Sequence, residues 1–571
     1  MATWDIKKKS TQPEPATLSQ IIFQLLKNRD IPEADMLSFL SPSYDRDSVD
    51  SFLFSQMHII CEKITETIKE KQHIVIHGDY DADGVCSSIL LCELLQKLGA
   101  EQIDIFLPHR DKEGYGLNMN TVHQFIEQKK ELVITVDCGS TSVEEIALLK
   151  QQGIPTIVLD HHHEPEKLPE FYAALNPHFS SESYPFKHLC STGVVFKLIQ
   201  AFRKKDPKLI DEAFEKWSLD LVAIATVADC MELVGENRTL VSYGLTVLQK
   251  TQRIGLRALI IESAIVQESI DTYHIGFMIA PRINAAGRME HANTAIALLM
   301  EKDFITAQQL AKELNTTNQQ RQTLTDTIYA QAVAQVETMG HIPKVIVVHQ
   351  PFDEQEGTWP VGLVGLVAGK LVSKYHRPSF VIGTSPKGYL GSGRSIPQYN
   401  IIEAIGAVCP DLFANFGGHA QACGFTFKHK KDIDLFCKRM NDHADAMLAE
   451  HELIPHLAID AELSLADIGF DIAYEIKKCA PYGIGNPHPL FCTRNLEIMS
   501  LQTMGSDLQH LKMTLSDGVH THQAIGFRFG QWAESIALHE HIDIAYEINI
   551  NEWNGHTTLQ LRLVDIKNTD V

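Results

Sequence analysis

With 571 residues the chain is too long for one hydrophobic core and points to about three or four domains. Its 44% hydrophobic and 21% charged content describes an ordinary globular protein, and no apolar run approaches the roughly 20 residues that would cross a bilayer. The net charge of −22 argues against a general nucleic-acid coat, which is usually basic, but leaves room for a narrow basic groove.

The 11 cysteines are an odd number with no Cys-x-x-Cys pair, which reads as free thiols in a reducing cytoplasm rather than a cysteine-built zinc site. The N-terminus lacks the apolar core of a secretory leader. Residues 1–50 form an N-terminal segment with a short helix at 18–27 and a Pro/Ser/Asp-rich loop. From residue 74 a regular alternation begins. Strands at 74–77, 103–107, 132–136 and 156–159 alternate with helices at 85–98, near 118–128 and at 142–151, and Gly99 and Gly153 end two of these helices. This order predicts a parallel sheet with right-handed crossovers.

A largely helical section follows, including 219–229. Residues 304–339 contain neither glycine nor proline and keep apolar residues at helical spacing, so an unbroken helix of about 50 Å is expected there as a strut. A second α/β region starts near Lys344 and is glycine-rich through Gly424, and 451–455 reads as a linker. The last stretch has short alternating runs that predict a small β-barrel. The resulting boundaries are 1–50, 51–270, 271–340, 341–452 and 453–571.

Ligands of open α/β sheets sit outside the carboxyl ends of the strands. There fall His77-Gly-Asp79-Tyr-Asp81-Ala-Asp83-Gly84, then His109-Arg110, Asp137, and Asp160-His161-His162. Aspartate and neutral histidine suit Mn²⁺ or Mg²⁺, and two such ions about 3.5–4 Å apart can activate water and neutralise charge on a phosphoryl group. Asp137, at the central strand end, is the candidate to bridge them. The plainer alternative for Asp79, Asp81 and Asp83 is a solvated turn or the N-cap of the following helix, and one of the three is a candidate for that cap. On the residues alone the reading reaches metal-dependent phosphodiester hydrolysis and stops.

These motifs have a family resemblance. His77–Gly84, Val136-Asp-Cys-Gly139 and Asp160-His161-His162 resemble the first three motifs of the DHH phosphoesterase superfamily, and Ala225-Thr-Val-Ala-Asp229 resembles the fourth. Pro281-Arg-Ile-Asn-Ala-Ala-Gly-Arg-Met289, Gly391-Ser-Gly-Arg-Ser395 and Gly417-Gly-His-Ala-Gln-Ala-Cys-Gly424 are similar to the connecting and DHH-associated segments of the superfamily's single-stranded-DNA-specific exonucleases. Ala480–Phe491 resembles the segment near their OB-fold barrel. The resemblance covers about residues 50–571. It implies an α/β fold made of a parallel-sheet DHH domain, a long connecting helix, a DHH-associated α/β domain and a C-terminal OB barrel.

It also implies roles. His77 and Asp81 would hold one cation, Asp83, His161 and Asp229 the other, with Asp137 shared. His162 would face the scissile phosphate, and Asp79 and Asp160 would orient the ligands. Arg110, Ser392 and Arg394 would bind a 5′-terminal phosphate; Asn284 and Arg288 would line the passage of the strand; Tyr115 would stack on a base; His419 would add a donor beside Gly417 and Gly418. Each has a plain reading: a surface or salt-bridged arginine, a core tyrosine, a tight turn with a satisfied histidine. His163 has no evident partner and reads as solvent-facing, and Lys428, Lys430, Lys431, Lys438 and Arg439 read as a solvated helix face. Trp359-Pro-Val-Gly362 departs from the family's Trp-His-x-Gly.

The activity implied is processive 5′-to-3′ hydrolysis of single-stranded DNA to 5′-mononucleotides in repair and recombination, with two divalent cations, Mn²⁺ or Mg²⁺. The expected setting is a cytoplasmic monomer without a membrane role, supplied with strand by a helicase and a single-strand-binding protein, its two α/β domains held apart by the strut and closed into a ring by the barrel. One alternative is a superfamily member that cleaves short oligoribonucleotides or cyclic dinucleotides, against which the C-terminal barrel argues. Another is a non-catalytic scaffold, against which the intact ligand set argues.

Overall fold

The chain's first strand and helix pack with its C-terminal residues rather than with the segment that follows them. Two units result: Tyr44–Met231 with Gly235–Leu453, and Met1–Ser43 with Glu232–Val234 and Ile454–Val571. The computed structural model describes residues 2–8, 19–109, 114, 116–289, 292–350, 359–385, 388–553 and 556–569. Strand β1 (Thr3–Ile6) pairs in parallel with residues 456–459. Helix α1 (Gln20–Asn28) starts on Ser19, whose Oγ accepts from Ile22 N, and buries Ile22, Phe23, Leu25 and Leu26 in one core with Phe491, Leu515 and Tyr546.

After helices over residues 44–47 and 57–69, the larger unit builds its first sheet from β2 (Ile74–His77), α2 (Ala82–Lys97), β3 (Ile103–Phe106), α3 (Met119–Glu127), β4 (Leu132–Val136), α4 (Val143–Gln151), β5 (Thr156–Leu159) and β6 (Ala173–Leu175). The five strands pair in parallel in the order β3-β2-β4-β5-β6. Every residue of β2, β4 and β5 is buried, as strands covered on both faces must be. Helix α2 starts at Ala82, earlier than its apolar run indicates, because Asp81 caps it: Asp81 Oδ1 accepts from Asp83 N at 2.9 Å and Gly84 N at 3.1 Å. It is apolar almost all round and packs beneath α5 (Ser191–Lys205) and α6 (Leu219–Ala228).

After α7 (Ala280–Met289) comes α8 (Phe304–Glu337), whose 34 residues make a rod of about 51 Å, as the sequence predicts. Its Ala307, Ala311 and Leu314 belong to the core of the first sheet, whereas Ile328, Ala332 and Val336 join the core of the second. That second region holds β7 (Ile346–His349), α9 (Val361–Tyr375), β8 (Ser379–Ser385), β9 (Gly388–Arg394), β10 (Phe413–His419) and β11 (Ala422–Phe427). Its sheet runs β10-β11-β9-β8-β7, parallel only between β7 and β8. Pro360 is the N-cap of α9, a position where its missing N–H costs the helix nothing.

The smaller unit continues with β12 (His456–Ile459), β13 (Ala461–Glu462), α10 (Phe470–Lys477), β14 (Phe491–Met504), β15 (His510–Ser516), β16 (Thr521–Gly526), β17 (His541–Trp553) and β18 (His556–Asn568). The order β14-β15-β16-β18-β17 closes on itself through a β14–β17 pairing, which gives the five-stranded barrel that the alternating runs predict. Among the described residues no helix is long and apolar enough to cross a membrane.

Candidate metal centre

From β2 the chain runs out to β3 and then returns to the other side of β2 as β4, so the carboxyl ends of β2 and β4 flank a crevice at this switch of direction. The loop after β2 carries Asp79 and Asp81, and the residue after β4 is Asp137. Asp137 has φ of +59°, a left-handed conformation that aspartate tolerates better than most residues. β5 ends in Asp160-His161-His162, and Asp229 terminates α6. Ligand-type atoms of Asp83, His161 and Asp229 lie within 4.8 Å of one another, as do those of Asp79, Asp81 and Asp137, and those of Asp137, His161 and His162. Asp137 and His161 are shared between groups, so the three form one centre. His161 Nε2 stands 3.2 Å from Asp137 Oδ1, 3.5 Å from Asp229 Oδ2 and 3.9 Å from Asp83 Oδ2.

The grouping differs from the expected ligand sets, and His162, expected to face the phosphate, falls in one group. Asp79, expected to orient the ligands, lies among them with Asp81 and Asp137, whereas His77 belongs to none of the three groups. His77 is nevertheless fully buried, and among the described residues its Nε2 has no hydrogen-bond partner. Asp229 Oδ2 is likewise buried without a hydrogen bond. Buried polar atoms left in this state are costly, and a cation bound among them would satisfy them.

Several residues that the sequence reading passed over hold the centre in place. Asp83 Oδ1 accepts from Thr192 N at 2.8 Å and Thr192 Oγ1 at 2.6 Å, and Asp83 Oδ2 accepts from Ser191 N at 2.7 Å. These donors form the first turn of α5, whose positive dipole end favours a carboxylate. Asp160 Oδ2 accepts from Ser140 N, while its Oδ1 accepts from His161 N, His162 N and His162 Nδ1 at 2.8, 3.2 and 2.7 Å. Asn176 Nδ2 donates to Ser140 Oγ and to His162 O. Ser191-Thr192 at a helix start was a readable signal; Ser140 and Asn176 carry none in sequence.

The electrostatics are those of crowded carboxylates. Burial, then the like charges of Asp83, Asp81, Asp229 and Asp79, push Asp137 well above the usual carboxylate range; burial, Asp83 and Asp81 do the same to Asp229. Burial pushes His77 down to about 4 and keeps it neutral, and burial also lowers His161. Burial opposes charge on His162 too, but the hydrogen bond to Asp160 and its negative charge hold His162 up at about 9. Asp160 itself stays below its ordinary value despite burial, because His162 donates to it. Neutral imidazoles beside convergent carboxylates are suited to hard divalent cations.

Of the other expected site residues, Arg110 and Tyr115 lie outside the described residues. Asn284 Oδ1 accepts from Ala82 N at 2.7 Å and so pins the start of α2. Arg288 Nη1 donates to Gly362 O at 3.1 Å, tying α7 to α9. Ser392 and Arg394 project from one face of β9, where Arg394 Nη1 donates to Ser392 Oγ at 2.9 Å and to Gly393 O at 2.8 Å. His419 ends β10, and its ring centroid is 5.5 Å from that of His163, which is 4.8 Å from His178. His163, expected to lack a partner, is solvent-facing but packs on these two rings. The contact brings the Gly417-Gly418-His419 strand end next to the histidines that follow β5. Arg439 bonds to Val408 O and Asp411 Oδ1 and Lys428 to Asp411 O, so both have structural partners.

Comparison with known proteins agrees with this layout. Family models match at residues 73–226 (DHH family, N-terminal domain), 343–445 (DHHA1 domain) and 459–565 (RecJ OB domain). The single-stranded-DNA-specific exonuclease RecJ of Bacillus subtilis is 35% identical over 569 residues, covering 98% of this chain and 70% of that protein. The Escherichia coli protein of the same name is 30% identical over 580 residues, covering 97% and 96%. The crystal structure of RecJ from Thermus thermophilus in complex with Mn²⁺ superposes with a TM-score of 0.83 at 25% identity, covering all of this chain and 80% of that one. With its three domain types in order and its relatives aligned along nearly the whole length, the chain belongs to the family of single-stranded-DNA-specific exonucleases called RecJ.

Proposed function

We propose that the chain degrades single-stranded DNA from its 5′ end to 5′-mononucleotides, using two divalent cations, Mn²⁺ or Mg²⁺. The observation that carries this reading is the convergence of Asp79, Asp81, Asp83, Asp137, His161 and Asp229, from segments far apart in sequence, in a site where His77 Nε2 and Asp229 Oδ2 are buried without a hydrogen bond among the described residues. Asp83, His161 and Asp229 would hold one ion, Asp81 and His77 the other, and Asp137 both, with Asp79 beside them. Bound at this centre, the ions would supply positive charge to the phosphoryl group and lower the pKa of attacking water.

The protein's own groups supply the rest. Asp160 fixes the ring of His162 through Nδ1, and His162 keeps its proton at neutral pH, which suits it to give a proton to the leaving 3′ oxygen or to hold charge on the phosphate. The first turn of α5 keeps the carboxylate of Asp83 aimed. Ser392 and Arg394 form a donor pair suited to a terminal phosphate, with Arg110 as a further cation, and Asn284, Arg288, Tyr115 and His419 would follow the strand. The barrel, from about residue 453, is of a type that holds single strands by stacking and backbone contacts. We further propose that the protein acts as a monomer in the cytoplasm, on strand exposed by a helicase and handed over by a single-strand-binding protein; an odd number of cysteines with no Cys-x-x-Cys pair favours a reducing compartment.

The test is a time course on end-labelled oligonucleotides, single- and double-stranded, DNA and RNA, with Mn²⁺, Mg²⁺ or chelator. A 5′ label on single-stranded DNA should appear as mononucleotide from the first time point, only with metal. Prompt release of a 3′ label, or activity that falls steeply as the substrate lengthens, would transfer the assignment to another member of the superfamily.

A further inference from the structure

The buried thiol of Cys138 lies directly behind the candidate ligand His77. Its Sγ is 3.5 Å from His77 Nδ1 and 3.7 Å from His77 O, and Cys138 has no exposed surface. The backbone brings it there. β2 and β4 are neighbours with His77 opposite Thr135, and the chain then turns through Asp137 at φ +59° and Gly139 at φ +106°. A Cβ at Gly139 would fall 2.3 Å from Thr135 Oγ1, so the turn folds back tightly on its own strand and swings Cys138 beneath the imidazole. Two aromatic rings also flank the imidazole. Phe106 stacks on it at 5.5 Å, and Phe125 meets it edge-on at 6.2 Å.

A thiol has one proton to donate and weak acceptor capacity. With S–H directed to His77 O, the sulfur can only accept at its second contact, from Nδ1–H. That sharing leaves Nε2 without a proton, and Nε2 is the buried atom that has no hydrogen-bond partner. A histidine that ligates a cation through one nitrogen almost always donates its other N–H to a neighbouring group. The acceptor is usually a carboxylate, carbonyl or water; here sulfur stands in that place.

We propose that Cys138 is the positioning residue for His77, selecting the tautomer and ring orientation in which Nε2 is available to one of the two cations. This rests on the metal-centre reading above and adds to it a residue that touches neither ion nor substrate. It also assigns His77 to an ion although no ligand-type cluster of three among the described residues includes it.

The test uses the full metal-free chain titrated with MnCl₂ by calorimetry, with unfolding curves of the metal-free proteins as a check on folding. The wild type should bind two ions. Cys138→Ala should weaken one of them by about tenfold, the lower end for loss of a group that orients a metal ligand, and leave the other unchanged. Cys138→Ser, which retains a donor and an acceptor, should lie closer to wild type than Cys138→Ala. Nitrogen-15 spectra of histidine-labelled, metal-free wild type should find His77 protonated at Nδ1. A wild type that binds no Mn²⁺ would sink the metal-centre reading itself. A wild type that binds two ions, with both constants unchanged in Cys138→Ala or with His77 protonated at Nε2, would overturn the role of Cys138 alone.

Discussion

At the scale of the residue, Asp137 has the most exposed dependence on metal. Its carboxylate is raised by burial and by four neighbouring aspartates. A carboxyl whose folded pKa exceeds its unfolded value adds stability only at acid pH, and that contribution is lost as pH rises through the folded value. The metal-free protein should therefore carry uncompensated repulsion at neutral pH. Asp137→Asn should raise the melting temperature of the metal-free protein at pH 7 by roughly 1 °C for each kcal/mol of repulsion removed, and abolish turnover. The gain should shrink at acid pH, which differential scanning calorimetry across pH would reveal. Arg394 is tested differently. Its guanidinium is already directed by Ser392 and Gly393, so Arg394→Ala should leave the fold intact. It should lower the ratio of kcat/KM for 5′-phosphorylated over 5′-hydroxyl strands by roughly 10- to 100-fold, the value of a hydrogen bond to a charged group. An unaltered ratio would remove Arg394 from the terminal-phosphate site.

At the scale of the element, the loop from Asp79 to Asp81 is pressed between two helices by glycines. A Cβ at Gly84 in α2 would lie 2.3 Å from Asp79 O, and one at Gly287 in α7 would lie 2.5 Å from Tyr80 O. Both obstacles are backbone, which cannot rotate away. Gly84→Ala should push the loop off the first turn of α2, cost about 1–3 kcal/mol as overpacking does, and weaken Mn²⁺ binding in calorimetry. The same approach explains why the acidic motif ends in glycine, as no metal-ligand chemistry requires one there. Helix α8 makes a second point at this scale. Its uninterrupted run of residues without glycine or proline lets one rod contribute to two separate cores.

At the scale of the whole molecule, residues up to Ser43 belong with the barrel although more than 400 positions separate them from its strands. Arg29 reinforces this, donating to Asn486 Oδ1 and Pro487 O. Deleting residues 1–43 removes the buried side chains of Ile22, Phe23, Leu25 and Leu26 from the barrel core, each worth about 1.5–3 kcal/mol. Limited proteolysis should then cut the C-terminal unit much faster than in the full chain, while Mn²⁺ should still protect the residues around the metal centre. Equal resistance with and without the N-terminal segment would contradict this account.

Much of the protein was legible in the linear order of residues. β-Branched runs separated by amphipathic helices define a parallel sheet, and the aspartates and histidines immediately after those runs mark a candidate metal centre, because both patterns are local and repeat with a helical or strand period. The 34-residue helix and the alternating strands of the barrel were legible for the same reason. Only the tertiary structure decided which of the acidic residues share a space. It set Asp79 and Asp81 beside Asp137, left His77 backed by Cys138, set Ser191 and Thr192 on Asp83, and laid His163 on His419. These are contacts between segments tens to hundreds of residues apart, and they depend on which faces pack together, a quantity that no local period encodes.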